Sequence, residues 1–303
     1  MSEWYNIKEQ SAGKFRLAFL WGVYKMFHLT FLKVLICPIV WFIYLFAKPV
    51  KASSLIYQNT LNTYAKRNHF TIPKITTYQH MLSYAQSLAD KMSAICDEKS
   101  PLKFMINENE DWQEFQKYIS QEKGVFLISS HLGNVEAFCA FRDENIKFEK
   151  KLHALMEISQ NSIFHDFVME KCQNHSFCLY PTEKMGFNTV MTLYESLCEG
   201  DILLMAGDRV SAENPDSTLS GTLLDKKCQL PLGTFKFAKS MKHPVFAIVV
   251  LYVGHNTYEV NLKQIDVTQS LEDMAKQYCD FIEDNLLRFP EQWYNFYDYF
   301  KEA

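Results

Sequence analysis

Gly124-Val125-Phe126-Leu127-Ile128-Ser129-Ser130, followed at once by His131-Leu132-Gly133-Asn134-Val135-Glu136, is the stretch on which the fold of this chain turns. The first seven residues form a short apolar run closed by serines, the pattern of a strand buried on both faces. The next six change texture within one turn of chain. A histidine and a glycine precede a segment over 134–142 that reads as helical. A buried strand passing directly into a helix is the unit from which open α/β sheets are built, and ligands bind such sheets at the carboxyl ends of their strands.

Similar units lie on either side. Upstream, residues 53–98 read as two helices separated by Thr71-Ile72-Pro73, and Asn109 is placed to cap a helix from Glu110 to about residue 122. Downstream, strands are expected at 152–156, 177–180, 201–206, 244–253 and 258–262, the last two joined through Gly254-His255-Asn256. Helices are expected near 161–173, 187–199 (stopped by Gly200), 233–242 and 269–288. Residues 211–222, polar and carrying Pro215, read as a surface loop, and 290–301 as a short aromatic helix. Strands alternating with helices from 124 to 253 predict an α/β fold with a largely parallel central sheet flanked by helices.

The N-terminal region has a different character. Residues 27–47, FHLTFLKVLICPIVWFIYLFA, are long enough to cross a hydrocarbon core of roughly 30 Å, but Lys33 and Pro38 interrupt them. Lys14, Arg16 and Lys25 precede the run, and Lys48 and Lys51 come after it. That symmetry sets no orientation and suits a segment lying in the membrane interface, or a re-entrant pair, better than a clean span. No cleavable signal peptide is evident. The expected organisation is a membrane-associated helical segment over 1–52 and an α/β domain over 53–303.

Composition excludes several classes. The chain has 303 residues, 22% charged, with a net charge of −4, which disfavours a general nucleic-acid binder. Its eight cysteines form no C-x-x-C pair and read as reduced thiols, not as a zinc or disulfide framework. No H-E-x-x-H, G-x-S-x-G, Walker A or G-x-G-x-x-G pattern occurs, so neither metal hydrolysis nor an α/β-hydrolase serine is expected. No metal and no cofactor are expected.

What remains is a histidine at a strand end with a carboxylate five residues on. On one continuous helix, residues five apart do not share a face. His131 and Glu136 meet only if His131 precedes the helix and turns back, whereupon Glu136 would hold one ring nitrogen and leave the other to accept a proton. A histidine–acid pair with no protein nucleophile suits activation of a substrate hydroxyl. Gly133 would allow close approach of backbone or ligand, and the N–H groups near Gly133 and Asn134 would face a developing oxyanion.

His131-x-x-x-x-Glu136 after such a strand resembles the HX4D/E motif of the lysophospholipid acyltransferase superfamily. More closely, the chain resembles the bacterial lipid A biosynthesis (lauroyl/myristoyl) acyltransferases, in a divergent branch. The features that carry the resemblance run in the family's order: the aromatic-basic segment with Trp21 and Tyr24, the His131 box, Gly207-Asp208-Arg209, Pro231-Leu232-Gly233-Thr234-Phe235, and the ending Pro290-Glu291-Gln292-Trp293. The resemblance implies His131 as general base, Glu136 as the residue that orients it, an acyl-carrier-protein or acyl-CoA thioester as donor, and a lipid or glycolipid hydroxyl as acceptor. It also implies a place at the bacterial inner membrane with the catalytic domain facing the cytoplasm. Arg209 becomes the candidate for a phosphate contact, with Asp208 beside it as a substrate-binding residue or as its ion-pair partner. One block departs: Glu157-Ile158-Ser159-Gln160-Asn161 has no arginine where the lipid A enzymes usually carry one, which points away from a standard lipid A precursor.

Two other functions fit the same residues. One is a non-catalytic membrane-bound subunit that binds a lipid or carrier protein. The other is a thioesterase in which His131 activates water. His153, His165, His175, His243 and His255 read as core or surface residues, and Lys236 and Lys239 as a solvated helix face.

Overall fold

A computed structural model describes residues 14–141, 150–157, 166, 170 and 177–300. The helix expected near 161–173 lies largely outside the described residues, as do Cys172, His165 and His175.

The chain opens with α1 (Lys14–Phe46), α2 (Lys48–Arg67) and α3 (Thr77–Cys96). α1 is long and apolar enough over Ala18–Phe46 to cross a membrane. It is, however, two helices joined at His28, whose φ of 64° and ψ of 167° break the helical path. Pro38 is carried inside the second piece without ending it. Leu29, Leu32, Lys33, Ile36 and Val40 recur at helical spacing and are buried, while Phe31, Val34, Trp41, Phe42 and Phe46 are exposed. The buried face lies on α3, where Tyr78 Oη donates to Cys37 O. The expected domain boundary, residue 52, falls inside α2. α3 begins with a capping box in which Thr76 and Gln79 satisfy each other's backbone N–H.

Seven strands form the main sheet: β1 (Lys103–Ile106), β2 (Val125–Ser129), β3 (Leu152–Met156), β4 (Phe177–Pro181), β5 (Ile202–Ala206), β8 (Val245–Gly254) and β9 (Thr257–Ile265), in the order β1-β9-β8-β2-β5-β3-β4. Within this sheet, among the described residues, only β8 and β9 pair antiparallel. They turn through His255-Asn256, both at positive φ (49° and 57°), the geometry that matches strand twist in a two-residue hairpin. β2, at the centre, is buried at all five positions. β8 shows why both faces are dry. Phe246, Ile248 and Val250 enter the core under α1, α3 and α4 (Glu110–Ser120), whereas Val245, Ala247, Val249 and Leu251 enter the core under the opposite helices. Those are α5 (Phe187–Cys198), α6 (Leu232–Ser240) and α7 (Leu271–Arg288), with a portion of α2.

Two expectations fail locally, and one strand carries no expectation. The end of the loop expected over 211–222 is β6 (Thr218–Leu223), which pairs antiparallel with β7 (Lys226–Pro231). The turn is Leu224-Asp225, both at positive φ, with none of the Gly or Asn that would mark it in sequence. β1 is a four-residue edge strand too short to declare itself. The tail is not an aromatic helix: after one 3-10 turn at Pro290–Gln292 it runs irregularly, and Trp293 bridges Leu132. Its backbone is claimed by the strand-end segment, because Tyr294 N–H donates to His131 O at 2.8 Å.

Candidate active site

β2 and β5 are parallel neighbours in a register that sets Ser129 beside Ala206. Two residues beyond each stand His131 and Asp208. Their side chains meet: His131 Nδ1 lies 2.9 Å from Asp208 Oδ1. The His131 backbone N–H donates to Asp208 Oδ2 at 3.0 Å, and Asn295 Nδ2 donates to the same oxygen at 3.0 Å. Gly207 permits the approach, since a Cβ there would fall 2.5 Å from Ile128 Cγ2.

Asp208 is 1% exposed. Burial pushes its carboxyl up, but the His131 charge and hydrogen bond, together with Arg209 and Asn295, outweigh burial and hold it at about 2. An ionised carboxylate only accepts, so Nδ1 carries the proton of the neutral imidazole and Nε2 is its acceptor. The His131 side chain is 35% exposed, so the ring remains accessible.

The carboxylate on His131 is therefore Asp208, where Glu136 was expected. Gly133, at φ 75°, turns the chain before the 3-10 helix Val135–Ala140. Glu136 then lies against α3, where Lys91 Nζ bonds its Oε1 at 2.5 Å. Burial pushes the Glu136 carboxyl up, and Lys91 overrides that and leaves it below the usual carboxylate range. The charge of His131 adds a smaller pull in the same direction.

The expected oxyanion donors are also otherwise engaged. Gly133 N–H donates to Gln292 O at 2.9 Å, and Asn134 N–H donates to Val250 O at 2.8 Å. A Cβ on residue 133 would stand 2.2 Å from Val250 O, so the close approach this glycine allows is to β8 and not to a ligand. The Asn134 side chain is buried and donates to Ser87 O at 2.9 Å. Arg209, expected at a phosphate, instead clamps the tail: Nε donates to Asn295 Oδ1 at 2.6 Å and Nη2 to Tyr294 O at 2.9 Å. The chain of contacts Arg209–Asn295–Asp208–His131 thus runs from the tail to the imidazole.

Asn295 and Lys91 carried no signal in the sequence, because each meets its partner only through the fold. Asp208 did carry one, as a carboxylate two residues past a strand end. Among the described residues no group of His, Cys, Asp and Glu is arranged to hold a metal ion. No family model and no curated protein matches this chain.

Proposed function

We propose that this protein is a membrane-associated O-acyltransferase that moves an acyl chain from a carrier-protein or CoA thioester to a hydroxyl of a lipid or glycolipid. The observation that carries the reading is the His131–Asp208 dyad. It combines a buried, ionised carboxylate on Nδ1, an accessible imidazole, and a position at the carboxyl ends of two central parallel strands. Nε2 removes the proton of the acceptor hydroxyl as its oxygen attacks the thioester carbonyl. When the tetrahedral intermediate collapses, the C–S bond breaks and the leaving thiolate takes the proton back from Nε2. Asp208 stays ionised throughout and balances the imidazolium. This assigns to Asp208 the orienting role that the HX4E resemblance implies for Glu136.

The exposed apolar face of α1 supports the membrane assignment. Its second piece, about 27 Å long, is packed on α3 along one side, so a bilayer that covers the other side meets it lengthwise. On this reading the helix lies in the interface, at the inner membrane, with the dyad on the cytoplasmic side where thioester donors are made.

Lipid extracts of cells carrying wild-type protein, His131→Ala protein or none, compared by mass spectrometry, test the reading. A lipid that gains an acyl chain only with wild type is expected. Unchanged lipids with the protein present and membrane-bound overturn it. Free fatty acid released from the thioester by the purified wild type, with no acylated acceptor, replaces it with the thioesterase.

A further inference from the structure

The tail reaches the dyad with two consecutive residues. Tyr294 N–H donates to His131 O at 2.8 Å, and Asn295 Nδ2 donates to Asp208 Oδ2 at 3.0 Å. Asn295 is 1% exposed, and the other end of its amide is engaged as well: Oδ1 accepts from Arg209 Nε at 2.6 Å. A guanidinium only donates, and an ionised carboxylate only accepts. The two neighbours therefore decide which way the amide faces, with its oxygen on Arg209 and its nitrogen on Asp208. Arg209 is held in turn by Tyr294 O, 2.9 Å from Nη2, and its Cζ lies 5.9 Å from the centre of the Tyr297 ring.

The consequence falls on the second oxygen of Asp208. Oδ2 accepts from Asn295 and from the His131 backbone N–H, both at 3.0 Å, which leaves Oδ1 facing Nδ1 at 2.9 Å. A carboxylate rotates about χ1 and χ2 unless donors hold it, and either rotation would take its oxygen from the imidazole. The buried hydroxyl of Tyr278 does not share this task, because it donates to Ser129 O at 2.8 Å.

We infer that Asn295 is a positioning residue of the dyad: by donating to Asp208 Oδ2 it holds that carboxylate turned to His131, and so keeps the ring proton on Nδ1. An amide meets two demands at once, an acceptor for Arg209 and a donor for Asp208. Aspartate, of the same shape, meets the first and not the second. The inference rests on the proposed reaction only for the use made of Nε2, and the hydrogen-bond arrangement is tested without substrate.

Full-length protein labelled with ¹⁵N-histidine, in detergent micelles near neutral pH, provides the test. The His131 ring is the signal missing from His131→Gln, and its nitrogen shifts report which atom carries the proton. Wild type is expected to show a proton on Nδ1 and a bare Nε2. Asn295→Asp leaves Arg209 its acceptor but sets a second carboxylate against Asp208 Oδ2. Two carboxylates so close do not both ionise, and Asp208, the one farther from the Arg209 contact, takes the proton. The ring proton is then expected on Nε2 in roughly half of the molecules or more, and kcat for acyl transfer should fall about 10²-fold or more with KM little changed. Were Asn295 only a clamp for Arg209, this variant would keep the clamp and leave the ring as it is. Asn295→Leu, neutral and of similar size, decides the matter if the charged variant does not fold: its Nδ1–H is expected to exchange with water about tenfold faster than that of wild type, because Asp208 is free to turn. A ring in the folded variants that matches wild type in proton position and exchange overturns the inference. A wild-type ring with its proton on Nε2 overturns it together with the dyad. The expected ring signals without acyl transfer by wild type support the inference and reject the acyltransferase.

Discussion

His131 Nδ1 and Asp208 Oδ1 stand 2.9 Å apart because each follows, by two residues, a paired position of adjacent parallel strands, Ser129 on β2 and Ala206 on β5. Parallel neighbours end at the same edge of a sheet, so residues at equal distance past paired positions are brought together. The imidazole is therefore held by the sheet itself and not by the helix that follows it.

This arrangement separates two carboxylates by effect. Asp208→Asn presents an amide N–H to Nδ1 and shifts the proton to Nε2, which removes the base. Acyl transfer is expected to fall roughly 10²–10⁴-fold. Glu136→Gln leaves Nδ1 bound to Asp208, and kcat is expected to fall less than about tenfold, with a stability loss of about 1–3 kcal/mol from the weakened Lys91 pair. Steady-state rates and denaturant midpoints of both variants decide the assignment. A larger loss of kcat in Glu136→Gln than in Asp208→Asn rejects the dyad as drawn.

Replacing the imidazole while keeping a donor, His131→Gln, should remove about 10³-fold or more of the rate and lower Tm, because the buried Asp208 loses the charge that offsets its burial. Differential scanning fluorimetry beside a turnover assay checks this. Near-normal turnover excludes His131 as the base.

Asp208 also sets an acid limit on stability. Its folded value, about 2, lies below the unfolded 3.8, so its contribution is complete above about pH 4 and is lost as pH falls through about 2. The shift corresponds to about 2 kcal/mol. Urea midpoints between pH 5 and pH 2 should fall more steeply in wild type than in Asp208→Asn. Parallel acid limbs mean that Asp208 is not held ionised by its neighbours.

Lys33 and the exposed face of α1 should respond oppositely. Lys33→Ala leaves Asp90 buried without its cation, and burial already raises that carboxyl. A loss of about 3–5 kcal/mol is expected. Phe31, Trp41 and Phe42 changed together to Ser should leave Tm nearly unchanged and move the protein from the membrane fraction to the supernatant. Ultracentrifugal fractionation and thermal melts read both. Retention of the triple variant on membranes removes this face as the contact.

Gly133→Ala should be among the most damaging single-methyl changes in the chain. The new Cβ meets Val250 O at 2.2 Å on a backbone at φ 75°. A loss of at least about 3 kcal/mol is expected, read as a fall in the urea midpoint. A midpoint within error of wild type means that the β2–β8 approach at this point is looser than drawn.

Residue patterns alone made the alternation of strands and helices legible, because periodicity and capping are local. Asn109 caps α4 where expected, accepting from Trp112 N–H, and β3 spans the expected residues. The β6–β7 hairpin escaped because Leu224 opens the turn at positive φ and no Gly follows Asp225 to mark it. The course of the tail escaped because its partners are distant in sequence: Tyr294 N–H donates to His131 O, and the Gln292 side chain bonds the Tyr252 backbone. By itself the sequence determined that His131 and Asp208 each stand just past the end of a buried strand, since an apolar run and the residues after it are read one position at a time. Only the tertiary structure decided that Asp208, and not Glu136, meets the imidazole. That choice depends on which strands are neighbours. The order β8-β2-β5-β3 comes from how the helices cover two faces at once, a property of the whole packed chain that no local window contains.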